Sequence, residues 1–244
     1  MDSIAFFRKL GREAFRLLRT VEDPFKVVGT NPLGQETMKV DAALEDLAIK
    51  RLRENKIGKT LVTEEKGEVP LAGESGVVVL DPLDGSSNYR RGVPSYGLII
   101  AFADGSCYRD IRDSYIINLV TGDEYWAIRG RGAFMNGKGI RASPETNLKK
   151  CILEYDPNCN QKLYDRILPI LKSVKDVRRF GANAVGLCYI ASGAHHFFLD
   201  LDNGLSVIHA PGLAIAEEAG AIVTDAKGKP INPRLKADAT LSFV

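Results

Sequence analysis

Between Ser3 and Leu18 the apolar residues Ile4, Phe7, Leu10, Ala14 and Leu18 recur at the spacing of one helix face, with Arg and Glu between them and Ser3 in the N-cap position. The same period returns from about Lys39 to Asn55, where Val40, Ala43, Leu44, Leu47, Ala48 and Leu52 form one stripe and Asp41 sits in the first turn, off it. The pattern then changes to short apolar, β-branched runs, "KTLVT", "GVVVL" and "YGLIIAFAD", punctuated by Gly and Pro. "SYIINLVTGDEYWAIRGRGAFMNGKGI" continues as strands joined by tight turns at Thr121-Gly122-Asp123 and Asn136-Gly137. After Lys150 the order predicts alternation: strand "CILEY", a helix near Asn160 to Lys172, strand "VRRFG", a helix near Asn183 to Ser192, strand "HHFFLDL", a helix near Pro211 to Ala219, and strand "AIVTD". Mixed layers of helix and sheet follow from that order.

With 244 residues the chain can bury a large core, and the even composition favours one unit spanning 1–244, with lobes of about 1–148 and 149–244. Its formal charge of +2 demands neither nucleic acid nor an anionic membrane as partner. No apolar run approaches the roughly 18 to 20 residues needed to cross a bilayer, and charges interrupt the N-terminal "MDSIAFFRKLGREAF", so a cytoplasmic protein is expected. Cys107, Cys151, Cys159 and Cys188 form no CxxC pair and read as packed or idle thiols.

The candidate chemistry lies in "VVVLDPLDGSSNY", Val77 to Tyr89, where four apolar residues run straight into Asp81 and Asp84. Asp, Pro, Gly and Ser also end ordinary strands, so a plain strand-to-turn exit is one reading. The other is a metal and phosphate site. Two carboxylates curled around one point repel each other unless a cation lies between them, and oxygen-only ligands suit Mg²⁺. Pro82 fixes the turn so that the Leu83 carbonyl can point inward, and "GSSN" suits a helix start that attracts a phosphate. Glu64 and Glu65 close another apolar strand, Glu64 seventeen residues before Asp81; in isolation they are ordinary surface carboxylates, in company they enlarge an acidic cluster. A P-loop at "IGKT" fails, because Arg53 stands where the first Gly belongs.

"DPLDGSSNY", with "TEE" upstream and "EEAGA" downstream, resembles the Mg²⁺-dependent inositol monophosphatase and fructose-1,6-bisphosphatase superfamily, especially the archaeal enzymes that act on both substrates. Asp41, twenty-three residues ahead of Glu64, matches the further upstream acid of the family pattern. "RGVPSYG", "RRFGANAVGLCYIASG" and "FFLD" follow in the expected order, so the resemblance spans nearly the whole chain. It implies an α+β fold, a five-layered α-β-α-β-α sandwich of the sugar phosphatase type, usually a homodimer. It also implies hydrolysis of a small phosphate ester, inositol-1-phosphate or fructose-1,6-bisphosphate, with Mg²⁺ as cofactor and Mn²⁺ as a substitute.

By the same resemblance, Glu64, Asp81, the Leu83 carbonyl and Asp84 hold the cations, and Asp41, Glu64 and Ser86 orient and deprotonate the attacking water. Gly85 and Ser86 give N–H groups to the phosphate, Asp84 also belongs to the substrate-binding set, Asn183 and Asp200 meet the sugar or inositol hydroxyls, and Arg178, or its neighbour Arg179, holds a second phosphate. One signature is broken. Anchored on "EEAGA", the position of the family's third Asp is Ile208, which cannot ligate a cation. His209, Asp202 or water remain as substitutes, although a neighbour on a helix start is expected to point elsewhere and Mg²⁺ prefers oxygen to imidazole. A degenerate relative that binds a phosphorylated ligand or partner with little hydrolysis is the alternative reading. The chain also stops at "TLSFV", read as a last strand, without the closing helix common among relatives.

Overall fold

Helix α1 (Ser3–Leu17) is capped by Asp2 rather than by Ser3: the Asp2 carboxylate accepts the N–H of Ile4 at 3.0 Å and of Ala5 at 3.2 Å, and Ser3 becomes the first helical residue. The computed structural model of the chain describes residues 2–156 and 161–244, with 202–204 as backbone. A small hairpin, β1 (Val27–Thr30) and β2 (Glu36–Met38), leads into α2 (Lys39–Glu54).

The next segment builds one large sheet. Strands β3 (Thr60–Thr63), β4 (Gly67–Pro70) and β5 (Val77–Asp84) are followed by a short helix α3 (Ser86–Arg91). Then come β6 (Gly97–Ala103), β7 (Ile111–Asn118), β8 (Glu124–Ile128), β9 (Gly132–Met135) and β10 (Lys138–Ile140). Their order is β10-β9-β8-β7-β6-β5-β3-β4, antiparallel throughout except for the parallel pair β3 and β5. Asn136 and Gly137 both have positive φ, 52° and 87°, which is the primed turn expected between β9 and β10.

The remaining strands form a second sheet. β11 (Ile152–Tyr155) is followed by α4 (Gln161–Ser173), β12 (Asp176–Arg178), α5 (Asn183–Ala191), β13 (Phe197–Ser206), α6 (Ala210–Glu218) and β14 (Thr240–Phe243), in the sheet order β12-β11-β13-β14. The expected helix start at Asn160 and Cys159 lie outside the described residues; among those described, Cys107, Cys151 and Cys188 are free. "AIVTD" forms no strand. Gly220 leaves α6 at φ 94°, and the segment's ladder contact reduces to Thr224 and Val244, which exchange two backbone hydrogen bonds.

Alternation of side chains along the large sheet divides two cores. Val78, Leu80, Leu98, Ile100, Tyr115 and Ile117 face α1 and α2, whose Phe7, Leu10, Leu44 and Leu52 are buried against them. Val79, Ile99, Ala101 and Ile116 face the other way onto α5 and α6, which are also covered by Phe198, Leu205 and Phe243 of the second sheet. Beyond that sheet Ile167 of α4 packs on Leu153, Tyr155 and Leu199. These are five layers, α-β-α-β-α. α5 and α6, apolar nearly all round because a sheet covers each face, run between the sheets and bring their N-termini towards the ends of β3 and β5.

Candidate metal and phosphate site

The strand expected to stop before Asp81 instead runs on to Asp84 and carries a β-bulge. Asp81 pairs with Ile99 and Asp84 with Gly97, so three steps on β5 face two on β6. Pro82 donates no ladder hydrogen bond and fits that irregularity. The bulge re-aims the two aspartates. Asp81 Oδ1 accepts the Leu83 N–H at 2.9 Å, while the Leu83 side chain is sealed in the core. Asp84 accepts the N–H groups of Asn183 (3.1 Å), Ala184 (2.9 Å) and Val185 (3.4 Å), and so caps α5 from the other sheet's side. Gly85 turns the chain at φ 83°, where a Cβ would stand 2.8 Å from the Ser95 carbonyl and 2.9 Å from Ala182; no other residue fits. Ser86, half-buried, opens α3.

Glu64 follows β3, the parallel neighbour of β5, and its carboxyl shares a hydrogen bond with Asp81. Asp41 is buried in the first turn of α2, where it accepts the Met38 N–H at 3.1 Å. Glu45, one turn on, accepts the Thr63 hydroxyl at 2.7 Å, and Thr37 hydrogen-bonds Glu65. These acids are crowded out of water. Burial, then Glu64 and Asp84, drives the Asp81 carboxyl well above the usual range, and burial raises Glu64 as well. Burial raises Asp41 and Glu65 each to about 7, and also lifts Glu45. Buried carboxylates with no compensating cation are costly, so this oxygen-rich donor set fits a hard divalent ion.

Ile208 is buried in the core between the sheets, but the position beside it does not point away as expected. Val207–His209 form a single 3₁₀ turn ahead of α6, which swings the His209 ring over the acids: Nε2 lies 3.5 Å from Asp84 Oδ1 and 3.8 Å from Asp81 Oδ2. Asp81, Asp84 and His209 thus bring three donor atoms within 4.8 Å of one another. Burial, the largest single influence, would lower the His209 pKa, yet the hydrogen bond and charge of Asp84, with the charge of Glu64 and the Ser206 carbonyl, together outweigh it and raise it.

A cleft of about 190 Å³ opens beside this cluster, lined among others by Glu64, Asn183, Ile208 and His209 and by Asp156, Arg179 and Asp238. Arg179 is paired with the buried Asp156 at 3.2 Å and faces the cleft. Arg178, half-exposed, turns to Asp176 on its own strand and is not among the lining residues. Asn183 offers a buried Oδ1 without a protein partner, whereas Asp200 is buried on β13, opposite Phe243 of β14, and is not among the cleft's lining residues. The side chain of Asp202 lies outside the described residues. Asp41, Glu64, Asp81 and Asp84 are therefore gathered at one point. Asp156 and Asp238 carried no motif; acids before a helix or in a late loop give no sequence signal of their own.

Residues 3–241 match the inositol monophosphatase family. The fructose-1,6-bisphosphatase/inositol-1-monophosphatase of Archaeoglobus fulgidus is 35% identical over 252 residues, covering 100% of this chain and 92% of the relative. The protein of the same name from Methanothermobacter thermautotrophicus is 33% identical over 234 residues, covering 91% of this chain and 83% of its own. A crystal structure of an inositol monophosphatase-fructose 1,6-bisphosphatase matches with a TM-score of 0.87 at 28% identity, over 100% of this chain and 94% of that one. On the matched length, the layers and the relatives together, the chain belongs to the inositol monophosphatase family.

Proposed function

We propose that the chain is a divalent-cation-dependent phosphatase that hydrolyses inositol-1-phosphate, fructose-1,6-bisphosphate or both, with Mg²⁺ or Mn²⁺ as cofactor. The observation that carries this reading is the convergence of Asp41 from α2, Glu64 from the end of β3, and Asp81 and Asp84 from β5, with Glu64 lining the polar cleft beside them. Glu64, Asp81, Asp84 and the Leu83 carbonyl would hold the cations. Bound there, divalent ions supply charge for both the entering and the leaving oxygen of an in-line displacement.

The protein's own groups do the rest. A carboxyl raised to about 7 can take a proton near neutral pH, and Asp41 with Glu64 and the Ser86 hydroxyl orients the attacking water. The first N–H groups of α3 have no partner within the helix and, behind the bare Gly85, can meet the phosphate. Asn183 Oδ1 would accept a substrate hydroxyl, Asp200 on β13 would accept another, and Arg179, which lines the cleft, would hold a second phosphate. A homodimer is the assembly the family resemblance implies, and the free Cys107, Cys151 and Cys188 among the described residues are compatible with a reducing compartment such as the cytoplasm.

Phosphate release from both esters, with Mg²⁺ or Mn²⁺ and after chelation, tests the reading. Release that needs the cation and disappears in Glu64→Gln is expected; no release from either ester would overturn it. The non-hydrolytic alternative rests on Ile208 alone, and no other observation favours it.

A further inference from the structure

We propose that His209 takes the ligand position that Ile208 cannot fill, so that Asp81, Asp84 and His209 hold one cation through two carboxylate oxygens and an imidazole nitrogen, and that this position selects Mn²⁺, Co²⁺ or Zn²⁺ over Mg²⁺. The inference rests on the phosphatase reading for the presence of a cation there, but not for the identity of the ligand.

Three features of the ring support it. Nδ1 lies 3.2 Å from the Ser206 carbonyl and donates to it, so Nε2 is the ring atom facing the acids, and a cation that displaces the proton it shares with Asp84 would meet its lone pair. A ligating histidine is oriented by such a bond to a backbone carbonyl. Second, the turn that carries the ring is itself held: Ser206 Oγ accepts the Ile208 N–H at 3.4 Å, Val207 and Ile208 are buried in the core, and Pro211 stands in the first turn of α6. Third, the two carboxylates cannot swing away, because Asp84 is fixed by three N–H groups of α5 and Asp81 Oδ1 by Leu83, which leaves Asp81 Oδ2 facing the ring.

The spacing suits a shared shell. Around an ion with ligand bonds of about 2.1 Å, adjacent donors stand about 3 Å apart and opposed donors about 4.2 Å. The Nε2 contacts of 3.5 and 3.8 Å fall in that interval. Imidazole is a poor ligand for Mg²⁺ and a good one for the later first-row ions, hence the predicted order of affinity. The all-oxygen side of the cluster, with Glu64, remains suited to Mg²⁺.

Pulsed EPR of the Mn²⁺-loaded protein reads the ligand directly and needs no turnover. Modulation from a coordinated nitrogen is expected in the wild type and absent in His209→Ala, with Mn²⁺ affinity at that position falling ~10–100-fold. His209→Asp should restore an oxygen ligand and shift the preference back towards Mg²⁺. A wild-type spectrum without nitrogen coupling, or unchanged or tighter Mn²⁺ binding by His209→Ala, overturns the proposal; the latter is the result if the ring acts as a built-in cation. Nitrogen coupling in a protein that releases no phosphate would sink the phosphatase reading alone, and an active enzyme without it would sink the ligand assignment alone.

Discussion

Asp84 accepts the backbone N–H of Ala184 at 2.9 Å, across a hundred residues of sequence, and so ties the bulged end of β5 to the first turn of α5. One carboxylate is thereby both an N-cap for a buried helix and a member of the Asp81, Asp84 and His209 cluster that could hold a metal ion. These roles can be separated. Asp84→Asn keeps an oxygen for the helix and should cost less than about 1 kcal/mol, while removing the charge lowers kcat by ~10²–10³-fold, the scale for losing one electrostatic contact at a reacting centre. Asp84→Ala loses both and should cost about 1–2 kcal/mol in addition. Urea melts beside phosphate-release rates check the split; equal melting of the two variants would show that α5 does not depend on this cap.

A carboxyl that folding raises binds its proton more tightly in the native state than in the unfolded chain. Burial raises Asp41 from 3.8 to about 7, so between those values the folded protein carries the extra proton and stability falls as pH rises. For the cation-free protein the loss at this residue alone amounts to at most about 4 kcal/mol, and Glu65, also raised to about 7, adds to it. Divalent ions compete with protons for such a cluster and should flatten the slope. Denaturation midpoints from pH 5 to 8, with chelator and with Mn²⁺, are expected to diverge as pH increases. Parallel curves would mean that the cluster is not strained without a cation. Asp41→Asn should make the chelated protein more stable at pH 8 while abolishing turnover.

The acids at strand ends were legible because strand boundaries and charge are both local: "LVTEE" and "VVVLD" announce where β3 and β5 deliver their side chains. What was not legible depends on geometry finer than one residue. The bulge at Asp81–Asp84 has the same composition as a strand exit. A 3₁₀ turn and a helix start share a sequence, but they send His209 in different directions. Between Arg178 and Arg179 the choice follows from which acid each can reach, Asp176 on the same strand or the buried Asp156, and that is a matter of strand alternation at the sheet's edge. "AIVTD" has strand composition but lies where almost no partner edge is available to it.

That alternation makes a substrate-dependent prediction. Arg179 faces the cleft, so Arg179→Ala should raise KM for fructose-1,6-bisphosphate by about tenfold or more, the loss of one charge-assisted contact, and change inositol-1-phosphate much less. Arg178→Ala should leave both unaltered. If instead Arg178→Ala carries the bisphosphate effect, the strand turns over in the substrate complex. Arg179→Lys is expected to recover only part of the affinity, since a single ammonium cannot reproduce the guanidinium fork that meets Asp156 and a phosphate together.

Far from the cleft, Glu124 at the start of β8 fastens the outer helix layer to the large sheet. Its carboxylate accepts Arg8 at 2.9 Å, Arg12 at 3.1 Å and the Tyr115 hydroxyl at 3.1 Å, and Arg8 also lies 4.6 Å from the centre of the Trp126 ring. Burial would raise this carboxyl, but the hydrogen bonds from Arg12 and Arg8 win and hold it below 4.5. A depressed carboxyl stabilises the fold fully above its unfolded value of 4.5, and the contribution disappears as pH falls through the lower native value. Glu124→Gln should therefore cost about 2 kcal/mol at pH 7, discounted for the exposure of Arg12, and lower Tm by roughly 4–8 °C. The gap between wild type and variant should close below about pH 4.5. Because Glu124 touches no residue of the cleft, kcat and KM at 25 °C should not move; a catalytic defect in this variant would mean that the outer helices position the acidic cluster through α2.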